Sequence, residues 1–235
     1  MINYKVFETA EAVVTELSEQ LVTYSQRDKP MHISLSGGST PKLWFKLLAK
    51  DYATKVNWNN LHFWWGDERC VEPTDPESNY GEAKALLFDH IDIDAQNIHR
   101  ILGENDPDDE TQRLAEEICA KVPSVNGIPS FDWILLGMGG DGHTASLFPY
   151  KTDFNEPNLT LVAEHPESGQ LRISKSARLL SNASRITYLV LGESKAQRLY
   201  EIATHDAADL PYPAAKIKAL KTTEWYLDAS AAKDL

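Results

Sequence analysis

Several features on which whole functional classes depend are scarce or missing in this sequence of 235 residues. The two cysteines, Cys70 and Cys119, have no metal-binding spacing, so we expect both to be reduced thiols. No apolar run has the length of a membrane-spanning helix, and residues 1–10 lack the basic and apolar regions of a secretory signal. We therefore expect a cytoplasmic protein that does not associate with membranes.

Positive charge is also scarce. The chain has 23 Lys and Arg against 35 Asp and Glu, for a formal net charge of −12. Such an excess of negative charge repels nucleic acid and anionic membrane surfaces. An anionic substrate must then be bound by a local cluster of basic groups.

Linkers and low-complexity runs are absent as well, so residues 1–235 are expected to form one α/β domain. Buried-strand patterns alternate with helical spacing, which predicts a mostly parallel open sheet of the Rossmann type with helices on both faces. The strands are predicted at 31–35, 61–65, 131–136, 186–191 and 224–227, with a possible short one at 98–102. The helices are predicted at 9–26, 41–49, 81–88, 109–122 and 214–219. A small antiparallel pair is expected at 159–164 and 170–174.

The most informative stretch is the predicted strand 131–136 and the turn after it. Four glycines at 137–142 allow positive φ and close approach of backbone N–H groups to a ligand. Asp141 and His143 are the only ionisable side chains of this turn, so a group that exchanges protons near neutral pH follows a buried strand.

Two other interpretations of this turn remain open. Gly137, Gly139 and Gly142 satisfy the G-x-G-x-x-G pattern of dinucleotide-binding proteins, which requires a long helix next, whereas Pro149 ends any helix after about two turns. The glycines also fit a simple tight turn with His143 as a surface histidine.

Three further turns follow predicted strands. In the turn at 36–41, Ser39 or Thr40 is a natural N-cap and Pro41 a natural first helical residue, which favours either phosphate binding at the helix N-terminus or a plain capped connection. Arg69 follows the strand at 61–65 and suits either a surface ion pair or an oxyanion. Lys195 follows the strand at 186–191 and is either solvated or bound to an anion.

One rule of α/β architecture brings these four turns together. The carboxyl ends of parallel strands lie at one edge of the sheet, and ligands bind outside that edge. The strand pattern therefore predicts a single pocket for an anionic substrate.

The motifs resemble those of a known family. Gly-Met-Gly-Gly-Asp-Gly-His-Thr-Ala-Ser-Leu-Phe-Pro at 137–149 is similar to the signature of the 6-phosphogluconolactonases, whose scaffold is shared by the glucosamine-6-phosphate deaminases. Gly-Gly-Ser-Thr-Pro at 37–41, Asp-Glu-Arg at 67–69 with Ser-Asn at 78–79, and Gly-Glu-Ser-Lys-Ala at 192–196 resemble family motifs too. Arg172 lies in a segment with a looser match, so Arg178 and Arg185 are alternatives for its role.

The resemblance implies hydrolysis of 6-phospho-D-glucono-1,5-lactone to 6-phosphogluconate, in the oxidative pentose phosphate pathway, with no metal or organic cofactor. His143 is the candidate general base, and the amides of 139–142 or Arg69 are the candidate oxyanion donors. Asp141 and Asp67 are expected to orient His143 or the sugar hydroxyls. The remaining expected substrate-binding residues are Gly38, Ser39, Thr40, Asn79, Gly139, Arg172 and Lys195. A covalent serine mechanism is disfavoured because no G-x-S-x-G elbow occurs.

Two other functions remain open. A glucosamine-6-phosphate deaminase would use the same turns, although Arg69 stands where that group usually has tyrosine. A non-catalytic sugar-phosphate sensor would carry an output region, and the sequence has no basic DNA-binding segment. The expected partner is a small phosphorylated sugar lactone, and the chain is expected to be a monomer or a homodimer.

Overall fold

A six-stranded sheet with every neighbouring pair parallel lies at the centre of the structure, a computed structural model that describes residues 2–235. Its strands are β1 (Tyr4–Phe7), β2 (Met31–Leu35), β3 (Leu61–Trp65), β7 (Trp133–Gly137), β10 (Arg185–Val190) and β11 (Thr222–Asp228). The other strands are β4 (Asp67–Arg69), β5 (Ser124–Val125), β6 (Ile128–Pro129), β8 (Thr160–Glu164) and β9 (Leu171–Lys175). The mostly parallel sheet expected from the sequence is confirmed.

The helices connect these strands. They are α1 (Ala10–Ser25), α2 (Ser39–Leu47), α3 (Asn79–Leu86), α4 (Pro107–Lys121), α5 (Ala177–Ser181), α6 (Ala196–Thr204) and α7 (Pro213–Lys216). No helix within residues 2–235 combines the length and the apolar character needed to cross a bilayer.

The central strands are covered on both faces. Successive side chains of a strand point to opposite faces of its sheet, and all five residues of β2 are buried. In β10, all residues after Arg185 are buried as well. This explains why these segments are nearly continuous apolar runs rather than alternating ones.

The strand order places the four turns next to one another. The order is β1-β11-β10-β7-β2-β3, so the strands before the four turns, β10, β7, β2 and β3, are consecutive neighbours. From β2 the chain continues to β3 on one side, and it later returns to β7 on the other side. The gap between β2 and β7 is thus the switch point at which open α/β sheets bind ligands.

The predicted antiparallel pair is present, and it gains a third strand that the sequence did not indicate. β4 pairs with β9, and β9 pairs with β8, in a separate antiparallel sheet. We expected residues 67–69 to be a turn, but after Gly66 the chain leaves the main sheet and enters the second sheet as β4.

Three local predictions were wrong. The helix expected at 41–49 begins earlier, at Ser39, and continues from Leu48 to Tyr52 as a π-helical turn. The strand expected at 98–102 is a single bridge between Ile98 and Phe63. The helix expected at 214–219 is the short α7, with the chain extended from Ile217.

Candidate functional site

A cavity of about 170 Å³ lies at the switch point of the main sheet. The turn after β2, the end of β7, and the end of β10 with its following turn all contribute to its lining. The lining residues are Ser36, Gly37, Gly38, Ser39, Thr40, Pro41, Gly137, Met138, Leu189, Leu191 and Lys195. Three of the four predicted turns therefore meet at one cavity.

The N-terminus of α2 opens onto this cavity. Gly38 is its N-cap, with φ 111°, and no side chain caps the helix. The expected capping by Ser39 or Thr40 is therefore wrong, because both residues are already helical. Pro41 has no N–H, so Ser39 and Thr40 provide the free N–H groups of the first turn, and these are suited to an anion.

Two side chains add to the anion-binding character of the cavity. Lys195 lies on its lining in the turn before α6. Ser36 is 8% exposed, and its buried Oγ has no hydrogen-bond partner within residues 2–235. Sequence reasoning missed Ser36, although its place directly after a buried strand was a usable signal.

His143 lies in a tight loop beside the cavity-lining residues Gly137 and Met138. Its Nδ1 is 2.6 Å from Asp141 Oδ1, and its backbone N–H donates to the same oxygen at 3.1 Å. A Cβ on Gly139 would lie 2.2 Å from His143 Nδ1, so only glycine leaves room for the imidazole there. Thr144 Oγ1 donates to the carbonyl of Gly137 at 2.7 Å, which ties this loop to the end of β7.

Some backbone N–H groups of the loop that carries His143 form hydrogen bonds within the loop itself. Gly139 N–H donates to the carbonyl of His143 at 2.9 Å, and Gly142 N–H donates to that of Gly139 at 3.0 Å. The oxyanion donors that this loop can offer therefore reduce to the N–H groups of Gly140 and Asp141.

The Asp141 carboxylate is set up to orient the imidazole. Partial burial raises the pKa of Asp141, but the backbone N–H and the ring of His143 outweigh burial and leave this pKa below its usual value. With Nδ1–H donating to Asp141, Nε2 of His143 carries the lone pair that accepts a proton.

The dinucleotide interpretation of the glycines is wrong. No helix or strand occurs between Gly137 and Thr160, so the long helix that such a motif requires is missing from this described part of the chain.

The second sheet holds the Asp-Glu-Arg motif. Asp67 is 7% exposed, and it accepts a hydrogen bond from Ser146 Oγ at 2.5 Å. Asn79 Nδ2 donates to the Asp67 carbonyl at 3.0 Å, and a Cβ on Gly37 would lie 1.9 Å from Asn79 Oδ1. Asn79 thus packs between β4 and the turn after β2.

Glu68, which sequence reasoning passed over, joins two motifs that lie ten residues apart. Its carboxylate accepts from Asn79 N–H and Tyr80 N–H at 2.8 Å each, and from Ser78 Oγ at 3.1 Å. Burial raises the pKa of Glu68, and the backbone N–H groups oppose that rise. Glu68 therefore caps α3 from outside the helix and holds the Ser-Asn segment against β4.

Arg69 and Arg172 lie opposite each other on β4 and β9. Neither forms an ion pair with a carboxylate in residues 2–235, although Arg69 Nη1 donates to the Glu77 carbonyl at 2.5 Å. Burial lowers the pKa of Arg172. This pair of guanidinium groups suits an anion, but Arg172 does not line the cavity that Lys195 lines.

The two alternatives to Arg172 are engaged elsewhere. Arg185 begins β10, at the opposite edge of the sheet, and its Nε donates to Glu224 at 2.7 Å. Arg178 is exposed and donates to the Pro157 carbonyl.

A buried lysine supports the point where β3 leaves the main sheet. Lys175 is completely buried, and its Nζ donates to Ser34 Oγ at 3.2 Å and to the carbonyl of Trp65. Its backbone N–H donates to the Gly66 carbonyl at 2.9 Å. Burial lowers the pKa of Lys175 to about 7. No sequence pattern indicated this role, because Lys175 follows an ordinary strand pattern.

A larger cavity, of about 830 Å³, lies near the start of β11 and the end of α6, and Trp225, Thr204 and His205 are among its lining residues. None of the four turns contributes to it. The smaller cavity is therefore the better candidate, since it combines free N–H groups and a lysine with the first residues of the turn that leads to His143. No group of three or more His, Cys, Asp or Glu side chains that could hold a metal occurs within residues 2–235.

Known proteins with similar sequences and structures match this chain over its length. The family model described as glucosamine-6-phosphate isomerases/6-phosphogluconolactonase matches residues 5–225. The 6-phosphogluconolactonase of Haemophilus influenzae is 62% identical over 234 residues, which cover 99% of each chain.

Solved structures give the same result. The crystal structure of the devB protein has a TM-score of 0.98 and 60% identity, with 100% of both chains covered. That of the 6-phosphogluconolactonase from Thermotoga maritima has a TM-score of 0.82 and 25% identity, covering 97% of this chain and 100% of the other. The chain therefore belongs to the glucosamine-6-phosphate isomerase/6-phosphogluconolactonase family.

Proposed function

We propose that the protein hydrolyses 6-phospho-D-glucono-1,5-lactone to 6-phosphogluconate, as part of the oxidative pentose phosphate pathway. The observation that carries this proposal is that the turn bearing the Asp141–His143 pair begins at Gly137 and Met138, on the lining of a cavity with a helix N-terminus and a lysine. The first group is suited to activating water and the second to holding a phosphate. The near-complete alignment with a 6-phosphogluconolactonase supports the same substrate.

The chemical step uses one imidazole twice. His143 Nε2 accepts a proton from water while the water oxygen forms a bond to the lactone carbonyl carbon, and Asp141 stabilises the imidazolium that results. The tetrahedral intermediate then collapses, the bond from this carbon to the ring oxygen breaks, and the imidazolium returns its proton to that oxygen. The products are an open-chain carboxylic acid, which ionises at neutral pH, and the free imidazole.

Developing negative charge on the carbonyl oxygen requires donors. The Gly140 and Asp141 N–H groups and the Arg69 guanidinium are the proposed donors, since the N–H groups of Gly139 and Gly142 are used within the loop. Gly139 contributes by leaving space for the imidazole. Asp67 and Asn79 are proposed to bind the sugar hydroxyls. Asp67 also accepts a hydrogen bond from Ser146, and Asn79 also donates one to the Asp67 carbonyl.

The phosphate group is proposed to occupy the cavity. Lys195 supplies a positive charge, and Ser39 and Thr40 supply helix N-terminal N–H groups. Gly38 allows the approach through its positive φ, and the unpaired Ser36 hydroxyl adds a donor. Arg172 is proposed to contact the anionic substrate from the second sheet, next to Arg69.

The domain organisation, the partners and the localisation are proposed from the packing of the core and from the net charge. One connected cluster of buried apolar side chains extends from Val13 to Ala231, which supports a single domain. The net charge of −12 disfavours nucleic acid and anionic membranes as partners. We propose a cytoplasmic enzyme for a small phosphorylated sugar lactone, acting as a monomer or a homodimer.

A coupled assay tests the function directly. Freshly generated lactone is supplied, its conversion to 6-phosphogluconate is followed, and the rate is compared with that in buffer alone. The proposal predicts a rate well above spontaneous hydrolysis. A rate equal to that in buffer, with ammonia released from glucosamine 6-phosphate, would instead establish the deaminase alternative.

A further inference from the structure

The loop that carries His143 is held from outside by a side-chain cluster on α6 and just before α7. Arg198, in the first turn of α6, donates from Nε to the carbonyl of Gly140 at 3.2 Å. Its Nη1 donates to Glu201 Oε2 at 2.6 Å and to the hydroxyl of Tyr212. We call Arg198, Glu201 and Tyr212 the Arg198 clamp.

Tyr212 closes the clamp against the loop. Its hydroxyl donates to Glu201 Oε2 at 2.6 Å, and its ring lies 4.5 Å from the Arg198 guanidinium carbon. A Cβ on Gly142, which has φ 89°, would come within 2.6 Å of the Tyr212 ring. The N–H of Ala214, two residues further on, donates to the Gly142 carbonyl at 3.2 Å.

These contacts hold the carbonyls on both sides of Asp141. In a trans peptide the C=O and the following N–H point in opposite directions. Holding the Gly140 carbonyl therefore directs the Asp141 N–H away from Arg198, and holding the Gly142 carbonyl directs the His143 N–H toward Asp141 Oδ1. The Arg198 contact thus holds the peptide that precedes Asp141, and the Ala214 contact holds the peptide whose N–H binds the Asp141 carboxylate, which in turn orients the imidazole.

We propose that Arg198 is a positioning residue for the reaction, which acts through Gly140 and Asp141 on the tautomer and direction of the His143 ring. Lys195 is the N-cap of α6 and Arg198 lies in its first turn, so the proposed phosphate ligand and the loop support both lie at the start of one helix. The kinetic test of this proposal rests on the proposed function, because it measures turnover of the lactone. The test of the His143 tautomer does not.

The kinetic test uses Arg198→Met, which keeps most of the side-chain stem and removes every donor. Arg27→Met is the matched control, since Arg27 also lies over a tyrosine ring, at 4.1 Å from Tyr24, but belongs to the turn after α1. Arg198→Met is expected to lower kcat about tenfold, because one hydrogen bond from a charged donor is lost. Its KM is expected to stay within about twofold of the value for the unmodified protein. Arg27→Met is expected to leave both parameters unchanged.

The second measurement does not depend on turnover. Two-bond ¹H–¹⁵N NMR of the histidine rings reports their tautomers, with His143 assigned by its absence in His143→Asn. The unmodified protein is expected to show the Nδ1–H tautomer at His143, and Arg198→Met a mixture of the two tautomers.

The two readouts separate the possible failures. A changed tautomer in a protein without lactonase activity would support the clamp and overturn the proposed function. An active protein in which Arg198→Met alters neither kcat nor the His143 signals would overturn the clamp. A fall in kcat that only follows a lower Tm, with unchanged His143 signals, would also overturn it.

Discussion

At the scale of single residues, the groups proposed to perform chemistry and the group proposed to bind the phosphate lie in different turns. His143 and Asp141 form one unit through a 2.6 Å contact, whereas Lys195 lies on the cavity lining in a different turn. Substitutions in the two places should therefore change different kinetic parameters.

His143→Ala is expected to lower kcat about a hundredfold or more, the usual contribution of a general base, with a smaller effect on KM. Steady-state kinetics on freshly generated lactone measure both parameters. His90→Ala is a suitable control, because His90 is an exposed residue that follows α3. Full activity in His143→Ala would remove this residue from the mechanism.

Lys195→Ala is expected to raise KM for the phosphorylated lactone about tenfold or more, because a charge-assisted contact to the phosphate is lost. Its effect on kcat should be smaller. Lys46→Ala, near the C-terminal end of α2, serves as the control. An unchanged KM in Lys195→Ala would show that the phosphate binds elsewhere, with the Arg69 and Arg172 pair as the next candidate.

At the scale of elements, Glu68 explains why the Asp-Glu-Arg motif at 67–69 and the Ser-Asn motif at 78–79 pack against each other. The carboxylate supplied by β4 caps α3, so the position of Asn79 depends on a residue outside its own helix. The hydrogen bond from Asn79 to the Asp67 carbonyl then connects α3 back to β4.

Glu68→Gln is expected to lower the free energy of unfolding by about 2 kcal/mol, because an amide cannot accept from all of the donors that now face the carboxylate. Urea denaturation measures the change. Glu72→Gln, at an exposed position, should have almost no effect. Equal stabilities of the two variants would contradict the capping role of Glu68.

At the scale of the whole molecule, a buried histidine on β2 and a half-buried one on β3 connect stability to pH. His32 is 5% exposed, accepts a hydrogen bond from Trp64 Nε1 at 3.2 Å and stacks on His62. His62 Nδ1 is 2.9 Å from Nε2 of His99, which contacts Glu117. Burial, followed by the charge of His62, lowers the pKa of His32 to about 4.

The pH dependence follows from proton binding. Between about pH 6.5 and pH 4 the unfolded chain binds a proton at His32 that the folded protein does not bind, so stability falls as the pH falls through this range. His32 alone should contribute about 1.4 kcal/mol per pH unit, or about 3 kcal/mol in total.

Urea denaturation at a series of pH values tests this expectation. His32→Gln should flatten the loss of stability between pH 6.5 and pH 4, while His90→Gln should leave it unchanged. An identical slope in His32→Gln and the unmodified protein would show that His32 is not the group responsible. Burial also lowers the pKa of His62, so part of the slope should remain in His32→Gln.

Local sequence determined the elements and the turns between them. Continuous apolar runs marked the central strands, helical spacing marked α1 and α4 closely, and the glycine turns and motifs indicated the family. These features depend on residues that are close together in the chain, so they can be predicted from the local sequence. The role of His143 as general base stays a prediction.

Only the tertiary structure determined the contacts between residues that are far apart in the sequence. It placed β4 in a second sheet, let Glu68 cap a helix that begins eleven residues later, buried Lys175 under the β3–β4 junction and brought Arg198 against Gly140. Each of these contacts joins groups whose separation is defined by packing and not by spacing along the chain, and for that reason no local pattern predicted them.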